Sequence, residues 1–192
     1  MTEIQTKHLG MTFSTDLVPP VMSGAKTQTR RLITGDPQFF GGGGKDGPEW
    51  NDPWHWGWVT EDGEVVTLMP LPQESDMYLR PRYKPGSVVY VKETWKPLGG
   101  AAVAYRADKE HAGEFLWESA RFMPRWAART WLRITAARVE RLQAITEADA
   151  QAEGFGSVDE FREKWDKLNR EQPWDANPWA WVYTFEKCEV PT

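Results

Sequence analysis

Runs of apolar residues, separated by turn signals, define most of the elements that the chain predicts. The turn signal Lys84-Pro85-Gly86-Ser87 precedes a continuous apolar run at residues 88–91, which predicts a buried strand. A second short strand is predicted at residues 101–106. Apolar and polar residues alternate over residues 131–142, which predicts a longer strand with one buried face. The last run, residues 179–185, is apolar on both faces and predicts a strand covered on both sides.

Short helices are predicted near both ends of the chain. Pro19 and Pro20 fit the first turn of a helix, where a missing N–H costs little, and Gly24 fits its end. A turn leading into an extended segment follows at residues 26–32.

Two more helices are predicted between residues 146 and 169. The capping pattern Thr146-x-x-Asp149 begins the first of them, and Gly154 ends it. The pattern Ser157-x-x-Glu160 begins the second. Apolar residues at helical spacing predict its core face, and they are Phe161, Trp165 and Leu168.

This order of elements predicts an α+β fold, a small mixed and mainly antiparallel β-barrel decorated by short helices. Residues 35–72 differ in composition, with four consecutive glycines at 41–44 and three alternating tryptophans at 54, 56 and 58. We interpret this stretch as an insertion into one domain that spans residues 1–192, because a chain of 192 residues fits one domain better than two.

Charge and cysteine usage narrow the classes of function. The formal net charge of −5 argues against sequence-independent binding of duplex DNA, but it leaves room for a local basic patch or a small-ligand pocket. The single cysteine, Cys188, excludes an intrachain disulfide, and we expect a cytoplasmic protein without a membrane span. The histidines His8, His55 and His111 lack ligand spacing, so we expect no metal and no other cofactor.

Candidate chemistry lies in the polar run Lys26-Thr27-Gln28-Thr29-Arg30-Arg31. A threonine hydroxyl is a weak nucleophile that needs a base, and a lysine amine serves when burial or neighbouring cations lower its pKa. On a helical turn, the three-residue spacing would put Lys26 and Thr29 on one face. A carboxylate is also needed to orient the amine or exchange protons, and the candidates are Glu93 and Glu153. Taken alone, such a run is more often a solvated turn than a site.

Gly24 to Arg31 also resemble the G-x-K-x-x-x-x-R signature of the ASCH domain, a relative of the PUA-like RNA-binding folds. Residues 85–95, 123–129 and 174–182 are similar, in the same order, to motifs of a longer ASCH subgroup common in phage and prophage genomes. Together these segments cover most of the chain outside residues 35–72. Two positions depart from the pattern, since Ser87 replaces the usual Asp and Ala128 the usual Ser.

The resemblance implies a PUA-like barrel whose cleft binds RNA or nucleotides. A short bacterial relative is an amidohydrolase that removes the acetyl group from N4-acetylcytidine with a Lys-x-x-Thr pair and a distant Glu. Lys26 and Thr29 match that pair, and Glu153, in an Ala-rich segment, matches the glutamate. The resemblance therefore implies a nucleobase- or nucleoside-recognising amidohydrolase that acts on N4-acylated cytidine-type nucleosides.

Four residues are predicted to bind the substrate: Arg31, Glu93, Arg125 and Trp126. Glu93 would accept a hydrogen bond from an exocyclic amine, although a strand-end salt bridge is the alternative. Trp126 would be a stacking wall of the pocket, whereas Trp95 is assigned to the core. Arg125 would contact a phosphate or the ligand, and a solvated arginine is the alternative.

Two other functions stay open. The first is a non-catalytic PUA-like binder of single-stranded RNA or modified nucleic acid, favoured by the 12 tryptophans and by arginines at 121, 125, 129 and 133. The second is a phage structural or host-interaction protein in which the pocket is vestigial and residues 35–72 form the interface. The expected partner is a modified nucleoside or a single-stranded nucleic acid.

Overall fold

The computed structural model describes residues 9–33, 81–108, 110 and 116–191, and the backbone of three short strands at 38–39, 56–59 and 65–67. The contacts of the chain divide it into two compact units. The first unit comprises Met1–Thr27, Pro85–Thr135 and Phe185–Thr192, and the second comprises Gln28–Lys84 and Ala136–Thr184. The single domain and its insertion at residues 35–72 stay predictions, and most of that insertion lies outside the described residues.

The strands of the described part are β1 (Leu9–Thr12), β2 (Gln28–Leu32), β3 (Gln38–Phe39), β4 (Trp56–Val59), β5 (Val65–Thr67), β6 (Val88–Lys92), β7 (Trp95–Gly99), β8 (Ala102–Tyr105), β9 (Trp131–Arg141) and β10 (Trp179–Cys188). The α-helices are α1 (Val18–Ser23), α2 (Glu147–Ala152) and α3 (Val158–Leu168). No helix of the described residues has both the length and the apolar character needed to cross a membrane.

The first unit contains β6 between two partners. β1 runs parallel to β6, with Leu9 opposite Val89, and β9 runs antiparallel to it, with Arg133 opposite Val88. β7 and β8 form a separate antiparallel hairpin. The strand predicted at residues 88–91 is confirmed, but it alternates, because Val89 and Val91 are fully buried while their neighbours are partly exposed.

The helix predicted near the N-terminus is α1 of the first unit. It carries Pro19 and Pro20 in its first turn and ends at Gly24, whose φ is +80°. This left-handed conformation suits glycine because a side chain would be strained there.

The predicted alternation in β9 is confirmed. Leu132 and Ile134 are buried, whereas Arg133 and Thr135 are exposed. Beyond Thr135 the buried positions shift by one residue, to 137 and 139. Apart from Trp131 at its start, the strand therefore buries even-numbered residues before Thr135 and odd-numbered residues after it.

The second unit contains a sheet in which β10 lies between β9 and β2. β10 and β2 are antiparallel, with Thr29 opposite Tyr183, Arg30 opposite Val182 and Arg31 opposite Trp181. The predicted final strand is confirmed, since residues 179–183 are all buried. β3, β4 and β5 form a separate antiparallel sheet.

Helices α2 and α3 cover part of the core of the second unit. The Thr146–Asp149 capping box begins α2, and Gly154, with φ +87°, follows its end. Ser157 accepts a hydrogen bond from the Glu160 N–H at the start of α3. The core cluster of this unit consists of Leu142, Ile145, Ala150, Phe161, Trp165 and Ala180.

The prediction that Leu168 belongs to the core face of α3 is wrong. Phe161 is 4% exposed and Trp165 is 5% exposed, but Leu168 is 63% exposed. Leu168 is the last residue of the helix, and Asn169 closes the helix by donating its backbone N–H to the Trp165 carbonyl. The apolar residues at helical spacing therefore extend one position, Leu168, beyond the part of α3 that packs on the core.

The fold is mixed α+β with few helices, as predicted. Within the described residues the strand pairings do not close into a barrel. The PUA-like barrel therefore stays a prediction.

Candidate functional site

The two faces of β2 present different chemistry. Successive side chains of a strand point to opposite faces, so Gln28 and Arg30 share one face and Thr29 and Arg31 share the other. The contacts agree, because Gln28 donates to Asp149 of α2 and Arg30 donates to Glu140 of β9. The predicted site residues Thr29 and Arg31 lie on the opposite face, which we call the Thr29 face.

On the first of these faces, the Arg30 side chain is fully buried among three carboxylates. Its Nη2 lies 2.9 Å from Glu140 and 3.6 Å from Asp149, and its Nη1 lies 3.4 Å from Oε1 of Glu153. A second arginine, Arg138, binds Glu140 at 2.5 Å and Asp149 at 3.5 Å. These five residues and Gln28 form the Arg30 network, which ties the β2 strand to β9 and α2.

Asp149 has two roles in this network. Its side chain completes the capping box of α2 by accepting a hydrogen bond from the Thr146 backbone N–H. It also accepts a hydrogen bond of 2.9 Å from the Gln28 amide. Burial acts to raise the pKa of Asp149, but the hydrogen bonds from Gln28 and Thr146 and the charge of Arg30 outweigh it and lower the pKa to about 2. The carboxylate is therefore a fixed negative charge at neutral pH.

Glu153, the predicted catalytic carboxylate, lies directly after α2 and is 2% exposed. Its backbone N–H donates to the Asp149 carbonyl at 2.8 Å, and its side chain faces Arg30. Glu153 also acts on Arg31, because its charge opposes the effect of burial on that arginine. The network thus gives Glu153 a fixed position in the second unit.

On the Thr29 face, a hydroxyl and a guanidinium lie among aromatic rings. Tyr183 is directly opposite Thr29 and Trp181 is directly opposite Arg31, so the four side chains share one face. Tyr83 packs edge-to-face on Tyr183, with ring centroids 5.2 Å apart. Aromatic rings, a guanidinium and a hydroxyl are groups that recognise flat heterocycles, and on this face the three rings are at most 6% exposed.

Burial controls the ionisation of this face. Burial lowers the pKa of the Arg31 guanidinium, while electrostatic interactions with Tyr83, Glu153 and Tyr183 act to raise it. Burial also raises the pKa of Tyr183 to about 12, although backbone N–H groups of Arg82 and Tyr83 stabilise its oxygen. The Tyr183 phenol is therefore neutral at physiological pH and holds residues 82–83 against the sheet.

Lys26 belongs to the first unit and is 1% exposed. Its backbone N–H donates to the Pro20 carbonyl at 2.9 Å, and its amine lies 5.9 Å from the ring centre of Phe13. The premise that Lys26 and Thr29 share a helical turn is wrong, because Lys26 lies in the connection after α1 and Thr29 lies within β2. The solvated-turn alternative is also wrong, since Lys26 and Thr29 are both buried.

Glu93, in the first unit, forms a two-pronged ion pair with Arg129. The Arg129 Nε donates to Oε1 and its Nη2 to Oε2, both at 2.8 Å, while Nη1 binds both oxygens of Asp108 at 2.9 Å. The guanidinium also lies 3.9 Å above the ring centre of Tyr105. Burial raises the pKa of Glu93 although Arg129 opposes it. This geometry matches the strand-end salt bridge that was the alternative for Glu93.

Arg125 and Trp126, also in the first unit, lie together beside an open pocket. They start the single helical turn Arg125–Ala127, and the pocket of about 550 Å³ is also lined by Ala128, Trp131 and Val190. Trp126 is 59% exposed, whereas Trp95 is 8% exposed and belongs to the core as predicted. Trp126 is therefore available to a ligand of this pocket.

Sequence reasoning missed the Arg30 network. In the sequence, Arg30 stands out only as one of two adjacent cations beside Lys26, and Arg138 and Glu140 fall within the strand predicted at residues 131–142. The sequence carries one relevant signal: Gln28 and Arg30 are two residues apart, as are Arg138 and Glu140. This spacing predicts that each pair shares one face of its strand. Nothing in the sequence indicates that the two strands and α2 meet.

Neither a search for metal sites nor a comparison with known proteins assigns a function to these residues. No group of three His, Cys, Asp or Glu residues in the described part of the chain could hold a metal ion. No protein-family model matches the chain, and no curated protein matches it. Among solved structures, the chain is similar to protein EF3133 from Enterococcus faecalis V583, described as family DUF984. The identity is 14%, the TM-score is 0.46, and the match covers 99% of this chain and 85% of that one.

Proposed function

We propose that the chain recognises a nucleobase or nucleoside and hydrolyses the amide of N4-acylated cytidine-type nucleosides. The observation that carries the proposal is the burial of Lys26 and Thr29, which are 1% and 5% exposed. Polar side chains are costly to bury, and a lysine is rarely buried without a specific reason. Shielding from bulk water is what a base and a nucleophile in amide hydrolysis need.

In the proposed reaction the Thr29 hydroxyl attacks the acyl carbon while the Lys26 amine takes its proton. The C–N bond then breaks, the leaving amine takes up a proton, and water hydrolyses the acyl-threonine ester to release the acid. Glu153 orients the amine or passes the proton to the leaving nitrogen. These roles follow from the ASCH resemblance, and the burial of Glu153 at 2% exposure supports them.

The chemistry of the Thr29 face supports a pyrimidine as the group recognised. A guanidinium such as that of Arg31 has parallel N–H donors, which complement the adjacent O2 and N3 acceptors of a cytosine ring. Trp181, Tyr183 and Tyr83 provide planar surfaces on the same face as Arg31. Glu93, Arg125 and Trp126 remain predicted ligand-binding residues of the first unit.

The proposal is tested by incubating the protein with N4-acetylcytidine and following cytidine release by chromatography. Thr29→Val and Lys26→Met should each reduce release to the background, because one removes the nucleophile and the other the base at nearly constant volume. Thr27→Val and Lys96→Met are matched controls, since Thr27 is in the same segment and Lys96 is a partly exposed lysine paired with Glu118 at 3.8 Å. The proposal fails if the wild-type protein releases no more cytidine than Lys26→Met.

A further inference from the structure

Residues 119–135 of the first unit have the composition of a protein interface. The segment contains four arginines, two tryptophans, one phenylalanine and one methionine, but no lysine, aspartate or glutamate. The cores of protein interfaces are enriched in these aromatic residues, methionine and arginine, and they are depleted in lysine and acidic residues. Two of the aromatic residues, Phe122 and Trp126, lie in consecutive helical turns and are 71% and 59% exposed. The segment therefore presents interface-type side chains to the outside of the unit.

The exposed Trp126 ring is held in place by buried neighbours. It packs edge-to-face on Trp95, with centroids 5.7 Å apart, and Trp95 belongs to a buried cluster with Met123 and Ala127. The Ala127 carbonyl accepts a hydrogen bond of 2.8 Å from the Tyr105 hydroxyl. A ring that is already held loses little conformational freedom when a partner packs on it. Tryptophan is also among the residues that contribute most of the binding energy at protein interfaces.

The pocket beside Trp126 is an open groove that is apolar apart from one guanidinium. Its lining consists of Arg125, Trp126, Ala128, Trp131 and Val190. Val190 is 62% exposed, so exposed apolar side chains come together on this surface from two separate parts of the chain. Apolar patches with a polar rim mark sites where another protein binds. Small ligands are instead held by enclosure, which buries roughly 70–90% of their surface.

The segment also carries positive charge that no carboxylate of the described residues neutralises. Arg129 and Arg133 each bind a carboxylate. Among the ion pairs of the described residues, none includes Arg121 or Arg125, and both of these side chains are exposed. The Arg125 guanidinium lies 5.3 Å from the ring centre of Trp131 in the groove. A partner with carboxylates next to an apolar side chain complements this arrangement of charge.

We propose that this groove docks an acidic segment of another protein. A large apolar side chain of that segment packs on Trp126, and a neighbouring carboxylate pairs with Arg125. The apolar lining selects the anchor, and the exposed guanidinium groups select the charge around it. The proposal goes beyond the proposed hydrolysis, in which none of these residues is the nucleophile or the base, and it does not depend on that reaction.

The test is selection from a displayed library of random peptides of about 12 residues on the immobilised full chain, with Trp126→Leu as a parallel target. Peptides enriched on the wild type should carry acidic residues beside an aromatic or branched aliphatic residue, and Trp126→Leu should not enrich them. One enriched peptide is then labelled and titrated by fluorescence anisotropy. Its affinity should fall about tenfold or more in Trp126→Leu, as expected for the loss of a central aromatic anchor.

The role of charge is measured with the same labelled peptide at several salt concentrations. Arg125→Gln should weaken binding about threefold or more at low salt and reduce its salt dependence, and this variant keeps the test decisive if Trp126→Leu fails to fold. The controls are Leu168→Ala and Arg162→Gln, which remove an exposed leucine and an exposed arginine of the second unit. They should change the affinity less than about twofold.

Each other outcome overturns the inference. It is wrong if no peptide is enriched, if the enriched peptides are basic or lack an apolar residue, or if Trp126→Leu and Leu168→Ala bind the peptide equally well. It is also wrong if a labelled single-stranded RNA binds in a Trp126-dependent way and no peptide does, since the occupant is then a nucleic acid. Self-association in light scattering that Trp126→Leu abolishes would instead identify the groove as a contact between copies of this chain.

Discussion

Removal of the Arg30 guanidinium, as in Arg30→Met, should strongly destabilise the protein. The substitution keeps an unbranched side chain but leaves three carboxylates without their shared cation. Glu140 and Asp149 retain Arg138, at 2.5 and 3.5 Å, so the acidic cluster keeps one of its two guanidinium groups. Breaking a buried ion pair by removing one partner costs about 3–5 kcal/mol. That loss is a large part of the ~5–15 kcal/mol that stabilises a typical domain.

The measurement is the free energy of unfolding from urea denaturation at pH 7, followed by circular dichroism. Arg162→Met is the matched control, because Arg162 pairs with Asp175 at 3.3 Å but the two side chains are 46% and 82% exposed. Exposed pairs contribute about 0–1 kcal/mol, so the control should remain close to the wild type. The double variant Arg30→Met/Glu153→Gln should be more stable than Arg30→Met alone, since it removes one of the three negative charges that Arg30 balances. The reasoning is refuted if Arg30→Met loses no more stability than Arg162→Met.

Three further predictions concern other parts of the chain. Because the pKa of Asp149 is lowered, its contribution to stability is complete above about pH 4 and is lost as the pH falls towards about 2. Asp149→Asn should therefore make stability fall less steeply over that range. An acid unfolding curve that the substitution leaves unchanged would contradict this. Arg129→Met should lower the unfolding free energy by about 3–5 kcal/mol, because it leaves Glu93 buried without its cation, and a loss below about 1 kcal/mol in urea would exclude it. Phe161→Ala should cost about 3–5 kcal/mol by opening a cavity in the core of the second unit. Leu168→Ala should change the midpoint of thermal unfolding little. If Phe161→Ala and Leu168→Ala destabilise the protein equally, the exposure of the side chain does not decide the loss of stability.

Much of the secondary structure could be predicted from local signals. Gly24 and Gly154 end helices because they accept positive φ, and Thr146 and Ser157 begin helices because their hydroxyls accept free backbone N–H groups. The alternation in β9 is similarly local. Leu168 shows the limit of this reasoning, since a helical period does not reveal where the core that the helix covers ends.

The sequence indicates where in the chain the candidate site residues lie better than it indicates which contacts their side chains make. The run from Lys26 to Arg31 is recognisable in the sequence as a compact set of polar residues, and its members are largely buried. Residues 28–31 divide between two faces because they lie on a strand, whereas a three-residue spacing such as that of Lys26 and Thr29 brings side chains together only on a helical turn. Partners such as Glu140 lie more than 100 residues away from Arg30, and only the pairing of strands determines that they meet.

The adjacent arginines of β2 have a consequence for how that strand finds its alignment on β10. If β2 slipped by one residue, Arg31 would take the place of Arg30, and the acidic cluster would still receive a guanidinium. Charge alone therefore discriminates poorly between the two alignments. The neighbours resolve the ambiguity: Thr29 is too short to span the gap that the Gln28 amide bridges to Asp149, and Leu32 cannot supply the donors of Arg31. In this strand the neutral residues specify the alignment that the two cations leave open.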